Sequence, residues 1–87
     1  MDAKMWNKTK WIPETNPETL KSRYKEALEI SGFEIIGFIE YLFTPQGYSA
    51  IWLLAESHLA VHTFPEKNTS YVELSSCVEE YYEKFRF

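Results

Sequence analysis

Residues 34–43 (EIIGFIEYLF), 48–56 (YSAIWLLAE), 57–64 (SHLAVHTF) and 69–76 (TSYVELSS) decide the fold. Each is short and rich in β-branched or aromatic residues, and two of the joints between them are breaker clusters, Thr44-Pro45-Gln46-Gly47 and Pro65-Glu66-Lys67-Asn68. Tight turns at such breaks fold successive strands back on one another, so the four segments predict an antiparallel meander. Upstream, Asn16-Pro17-Glu18 offers an N-cap, a proline at the first helical position and an acid in the first turn. Leu20, Tyr24, Ala27 and Leu28 follow at helical spacing, and Gly32 is a natural stop after Ser31. The helix is therefore expected over 17–31. Residues 1–16 interleave Lys4, Lys8 and Lys10 with Trp6 and Trp11 and read as a short strand or extended arm. The tail CVEEYYEKFRF repeats Val78, Tyr81, Tyr82 and Phe85, which predicts a short amphipathic helix running to the terminus. The expected class is α+β, an antiparallel β-sheet with helices on one face.

An 87-residue chain with 45% hydrophobic and 25% charged residues is one small domain over 1–87, too short for two independent cores. Six Phe, six Tyr and three Trp give much area per residue, yet a core of this size is marginal in a monomer, and self-association would add burial. A net charge of -4 without a basic stripe speaks against nucleic acid as a partner. No apolar run approaches the roughly 18 residues of a membrane span, and MDAKMWNKTK lacks a hydrophobic signal core, so a cytoplasmic protein is expected. Cys77, the one cysteine, can form neither an intramolecular disulfide nor a multi-Cys zinc site.

Chemistry concentrates in residues 55–66, AESHLAVHTFPE. On a strand, His58, Ala60 and His62 share one face while Leu59, Val61 and Thr63 share the other. Glu56 and Ser57 lie just ahead, and the next strand could return Cys77 to the same neighbourhood, making one pocket of a serine, two imidazoles, a thiol and two carboxylates. Read by residue type alone, several alternatives stay open. The histidines could simply be solvated. His58, His62 and Cys77 could hold a metal, although their spacing matches no standard zinc signature and no metal is expected. A Ser-His hydrolase would lack its Gly-x-Ser-x-Gly elbow.

Glu56-Ser57-His58-Leu59-x-x-His62-Thr63-Phe64-Pro65-Glu66, with Cys77 twenty positions after Ser57, closely resembles the self-processing region of the short bacterial and archaeal S-adenosylmethionine decarboxylases. Phe43-x-Pro45-x-Gly47-x-Ser49 falls at that family's spacing too, so the resemblance runs from about Gly32 to Cys77. It implies that the Ser57 hydroxyl attacks the Glu56 carbonyl in an N-to-O acyl shift, and that elimination leaves a pyruvoyl group at position 57. The chain is then cleaved between 56 and 57. The pyruvoyl group, the only cofactor implied, condenses with the substrate amine as a Schiff base and accepts the electrons released with carbon dioxide.

By the same resemblance, His62 is the proton acceptor of the elimination step, supported by Ser49, and Cys77 is the acid that returns a proton after decarboxylation. Phe43 corresponds to the aromatic that stacks on adenine, and Glu66 to the carboxylate that takes the ribose hydroxyls. Relatives of this kind join two protomers edge to edge, each site drawing Ser57 and Cys77 from one chain and Phe43, Ser49, His62 and Glu66 from the other. The fold implied is a half-sandwich completed by dimerisation, and the activity is decarboxylation of S-adenosylmethionine for polyamine synthesis.

Three features depart from the pattern. MDAKMWNKTKWI offers little of the hydrophobic, His- and acid-bearing pattern of the family's first strand, the chain stops ten residues past Cys77, and Phe64 stands where Trp is common. Two alternatives therefore accompany the main reading: a pyruvoyl-dependent decarboxylase of arginine or ornithine, and a non-processing paralogue that binds a ligand or partner.

Overall fold

The computed structural model describes residues 3–87. In order they form β1 (Trp6–Ile12), α1 (Pro17–Ser31), β2 (Ile35–Leu42), β3 (Tyr48–Leu54), β4 (Ser57–Phe64), a 3-10 turn (Pro65–Lys67), β5 (Thr69–Ser76) and α2 (Glu79–Lys84). The strands make one antiparallel sheet in the order β1-β5-β4-β3-β2. The expected meander runs from β2 to β5, and the N-terminal segment, whose first two residues lie outside the described ones, adds β1 beyond β5. The class is α+β, as expected.

Local signals set the long helix. Asn16 Oδ1 accepts the Thr19 N–H (3.0 Å), Pro17 occupies a position where no N–H is needed, and Gly32 ends α1 in the left-handed region at φ 109. A Cβ at Gly32 would also lie 2.8 Å from the Tyr81 ring, so glycine is what lets α2 approach the end of α1. Leu20, Tyr24, Leu28 and Ser31 form the buried stripe of α1.

Alternation along the strands gives the sheet two unlike faces. Tyr48, Ala50, Trp52 and Leu54 of β3, Leu59 and Val61 of β4, and Val72 and Leu74 of β5 point inward under the helices and build the core with Ile12, Phe33 and Phe85. No buried side-chain N or O among the described residues lacks a partner. Cutting Leu74 to Ala at the centre of this core is expected to cost about 2–5 kcal/mol, a large part of what so small a domain has; urea unfolding measures it. The opposite face carries Trp11, Ile39, Tyr41, Ile51, Leu53 and Phe64, all exposed, and no helix covers it.

The tail departs from expectation. α2 stops at Lys84, and Phe85 is already extended. Phe85 plugs the core at 1% exposure, and the Tyr24 hydroxyl donates to the Phe87 carbonyl (3.1 Å). Burial of Phe85 and capture of the last carbonyl outweigh another helical turn. From β1, Lys8 Nζ donates to the Tyr82 and Phe85 carbonyls (2.7 and 3.0 Å) and lies 4.4 Å above the Tyr82 ring, tying β1 to the end of α2. Desolvation, and then the nearby Arg86 charge, lowers its pKa despite Glu83.

A polar triad closes the β2 side. Glu40 accepts from Lys21 Nζ (2.8 Å) and from the Tyr48 hydroxyl (2.7 Å). Lys21 first, then Tyr48, hold the Glu40 carboxyl below its ordinary range, while burial and then Glu40 push the Tyr48 phenol up. A carboxyl whose folded pKa is depressed adds stability that is whole above its unfolded value near 4.5 and is lost as pH falls through the lower folded value. Glu40→Gln is accordingly expected to flatten the acid limb of a stability-against-pH curve below that value, by a small amount because the group is exposed. No described helix is long and apolar enough to cross a membrane.

Candidate active site

The β3–β4 hairpin turns on two residues, Ala55 and Glu56, between the paired Leu54 and Ser57. Glu56 sits at φ 53, a left-handed conformation that suits Gly, Asn or Asp better than a residue with its longer side chain. Backbone strain is therefore stored at the residue just before Ser57. Ser57 opens β4 and is buried at 4% exposure.

The serine is in contact with the cysteine predicted to accompany it. Ser57 Oγ accepts the Cys77 backbone N–H (3.0 Å) and donates to Cys77 Sγ at 3.6 Å, and the thiol in turn donates to the Ala55 carbonyl at 3.5 Å. Cys77 leaves the end of β5 because Ser76, fully buried, folds back on Val78: its hydroxyl accepts the Val78 N–H (3.0 Å) and donates to the Val78 carbonyl (2.9 Å). A cleft of 330 Å³ opens alongside, lined by Gly32, Phe33, Glu34, Ala55, Val78 and Tyr81. Its wall thus includes the immediate neighbours of Glu56 and Cys77.

The second group lies at the other end of β4. His62 stands opposite Ser49 in the β3–β4 register, and Ser49 Oγ and His62 Nδ1 are 2.7 Å apart. Both belong to the open face, flanked by Tyr41 on β2 and Tyr71 on β5. Phe43 follows β2, half exposed, with its ring edge-on to Tyr41 at 4.8 Å. The Phe43 N–H donates to the Gly47 carbonyl (2.9 Å), closing the turn through Pro45. Glu66 is exposed in the 3-10 turn that follows β4.

One pocket containing all these groups does not exist within a single chain, which corrects the reading of residues 55–66 as one neighbourhood. Five positions along an extended strand separate Ser57 from His62, about 16 Å, and the odd spacing turns them to opposite faces. His58 is exposed on the open face across from Ser75, whose hydroxyl donates to Asn7 Oδ1, and it approaches neither Cys77 nor His62. Among the described residues no three His, Cys, Asp or Glu side chains gather in a metal-binding cluster. Two neighbours escaped the reading of the sequence, the Ala55 carbonyl that receives the thiol and the Ser76 hydroxyl that sets Cys77. Neither residue type carries a signal for such a role.

Comparison with known proteins places the chain in a family. The family profile described as S-adenosylmethionine decarboxylase matches residues 13–85, beginning just after β1 and reaching well beyond the motif on both sides. The chain is 37% identical over 62 residues to the S-adenosylmethionine decarboxylase proenzyme of Brevibacillus brevis, covering 71% of this chain and 47% of the relative. It is 31% identical over 65 residues to the proenzyme of Pyrococcus furiosus, covering 75% and 47% respectively. The crystal structure of the adenosylmethionine decarboxylase from Aquifex aeolicus superposes with a TM-score of 0.68 at 25% identity, over 80% of this chain and 59% of that one. The chain thus spans about half the length of the curated relatives it matches. With the profile covering most of its length and the fold in agreement, the chain belongs to the S-adenosylmethionine decarboxylase family.

Proposed function

We propose that the chain is a self-processing decarboxylase of S-adenosylmethionine that works as a homodimer with shared sites and supplies an aminopropyl donor for polyamine synthesis. The observation that carries this reading is the Ser57–Cys77 contact beside a strained Glu56, in a chain whose matched relatives are named proenzymes. Ser57 Oγ attacks the Glu56 carbonyl carbon, the 56–57 peptide bond breaks, and an ester links the two pieces. Removal of the residue 57 α-proton then expels the Glu56 carboxylate as a new chain end. Hydrolysis with loss of ammonia leaves a pyruvoyl group at position 57. The site fits such a group, because residue 57 has a thiol beside it and a cleft lined by Ala55 and Val78 opens next to their neighbours Glu56 and Cys77. When formed, the pyruvoyl carbonyl supplies the electron acceptor for loss of carbon dioxide.

The remaining roles fall to the chain's own residues. His62, oriented by Ser49 at 2.7 Å, takes the α-proton during processing, and Cys77 donates a proton to the substrate carbon after decarboxylation. Phe43 offers a half-exposed ring for the adenine, and Glu66 an exposed carboxylate for the ribose hydroxyls.

Because the two groups lie about 16 Å apart in one chain, the proposed site is completed by a second copy. Joining sheets edge to edge, through β1 or β2, would leave β4 five strand spacings from its counterpart, about 24 Å. Packing open face on open face sets the sheets about 10 Å apart, and a two-fold axis across the strands brings the start of β4 over the end of the other β4. The exposed Ile51 and Leu53 at the middle of the open face favour this second geometry over the edge-to-edge arrangement.

Denaturing intact mass measurement on purified chain tests the proposal, with two fragments, 1–56 and 57–87, the latter lacking a free amine. Carboxyl-labelled S-adenosylmethionine should then release labelled carbon dioxide. A chain that stays whole overturns the enzymatic reading, and release from arginine or ornithine instead overturns the substrate. Strain at position 56 makes a further test. Glu56→Gly, which accepts φ 53 without a steric penalty, is expected to stabilise the uncleaved chain by up to about 1 kcal/mol and slow cleavage several-fold in a time course followed by mass.

A further inference from the structure

Cys77 has few ties of its own. β5 ends at Ser76 and α2 begins only at Glu79, so the thiol residue belongs to neither element. Its backbone N–H donates to Ser57 Oγ (3.0 Å), and its thiol lies 3.5 Å from the Ala55 carbonyl and 3.6 Å from Ser57 Oγ. In the proposed processing chemistry, Oγ departs with the Glu56 carboxylate. The Cys77 N–H then loses the acceptor that holds it in the uncleaved chain, and the place of the thiol passes to whatever fixes α2.

The helix cannot fix itself. Its 6 residues are far below the length at which a helix persists alone, its N-cap Val78 offers no side-chain acceptor, and it buries no residue of its own. Tyr81 stands edge-on to Phe33 at 5.3 Å, and Phe85 plugs the core just beyond Lys84. Such apolar contacts have no direction and leave a short helix free to slide or turn. Arg86 donates to the Glu83 and Phe85 carbonyls, which lie within the tail itself.

Lys8 supplies the directional tie. It is partly buried on β1, across from the fully buried Leu74. An ammonium there gives up water and is compensated by the Tyr82 and Phe85 carbonyls (2.7 and 3.0 Å) and by the face of the Tyr82 ring. Bonds from one anchored nitrogen to two carbonyls set both the height and the rotation of α2 over the sheet. β1 is in turn paired with β5 along its whole length, from Ile12↔Ser70 to Trp6↔Ser76, the last pair before Cys77.

We infer that Lys8 is a positioning residue for Cys77, holding α2 so that the thiol keeps its place at residue 57 once the Ser57 hydroxyl is gone. The consequence for turnover rests on the proton-donor reading of Cys77; the tether does not. In the sequence, Lys8 is one lysine of a polar N-terminal segment and carries no sign of this role.

Alkylation of Cys77 by iodoacetamide under native conditions, followed by intact mass, tests the tether without any activity, since the chain has no other thiol. The parent is Ser57→Ala, which lacks the hydroxyl. Adding Lys8→Met, which keeps the apolar stem and removes the donors, is expected to speed alkylation several-fold, and Lys8→Arg should hold it near the parent rate. Tyr82→Leu removes the ring over which the ammonium sits and should act in the same direction; it decides the matter if Lys8→Met loses the native circular dichroism. Leu20→Val, a mild cut in the core under α1, should leave the rate unchanged. Natively folded Lys8→Met or Tyr82→Leu chains that alkylate no faster than the parent, or a Leu20→Val chain that speeds up as much, overturn the inference. With Ser57 restored, Lys8→Met should cleave to the wild-type extent and lose kcat several-fold with KM little changed. A wild type that neither cleaves nor releases carbon dioxide sinks the decarboxylase reading and leaves the thiol result standing.

Discussion

Ser57→Ala is expected to leave the chain whole. Without the hydroxyl there is no nucleophile for the Glu56 carbonyl and no atom from which a pyruvoyl group can form, so both the 57–87 fragment and carbon dioxide release should fall below detection. Removing the hydroxyl also takes the acceptor from the Cys77 N–H, a partly buried loss of about 1 kcal/mol. Circular dichroism of the variant must therefore show the native spectrum for the result to count. Cys77→Ala separates chemistry from folding. The attacking serine survives in it, so cleavage should proceed at near wild-type extent, while loss of the proton donor should lower turnover by about 10²–10⁴. Full turnover in Cys77→Ala would remove the thiol from the proposed mechanism.

The second large effect is recovery of activity by mixing. Cys77→Ala damages one end of β4 and Glu66→Gln the other, and each homodimer should be nearly inactive if every site needs both ends. In a mixed dimer one site receives both defects and the other receives neither. Random pairing makes half the dimers mixed, each with one intact site, so about a quarter of wild-type activity should return on co-refolding. Sites contained in one chain would give no recovery. The result would also decide between face and edge association, because only face packing brings the two ends within reach of one substrate.

Much of this fold was legible in the sequence because its determinants are local. Asn16, Pro17 and Gly32 mark the helix ends through backbone groups a few residues away, and the structure begins and ends α1 where they predict. The alternation in SHLAVHTF puts Leu59, Val61 and Thr63 on one face and His58 and His62 on the other, and the structure turns the first set inward. The tail was less legible. Val78, Tyr81, Tyr82 and Phe85 have helical spacing, yet the helix yields at Lys84 because Phe85 has a place in the core that no local pattern reveals.

The candidate site divides in the same way. Sequence by itself determined the family and the residue types, since Glu56-Ser57-His58, His62 and Cys77 carry their chemistry in identity and spacing. It also paired Ser57 with Cys77 correctly, because a hairpin and one returning strand bring position 77 back to position 57. The resemblance already assigned His62 and Ser49 to the other chain, and the tertiary structure adds the physical reason: strand pitch puts about 16 Å between Ser57 and His62, and alternation gives them opposite faces. Only tertiary structure, too, showed β2 to be an edge, because the pairing of β1 with β5 rather than with β2 depends on contacts more than fifty residues apart.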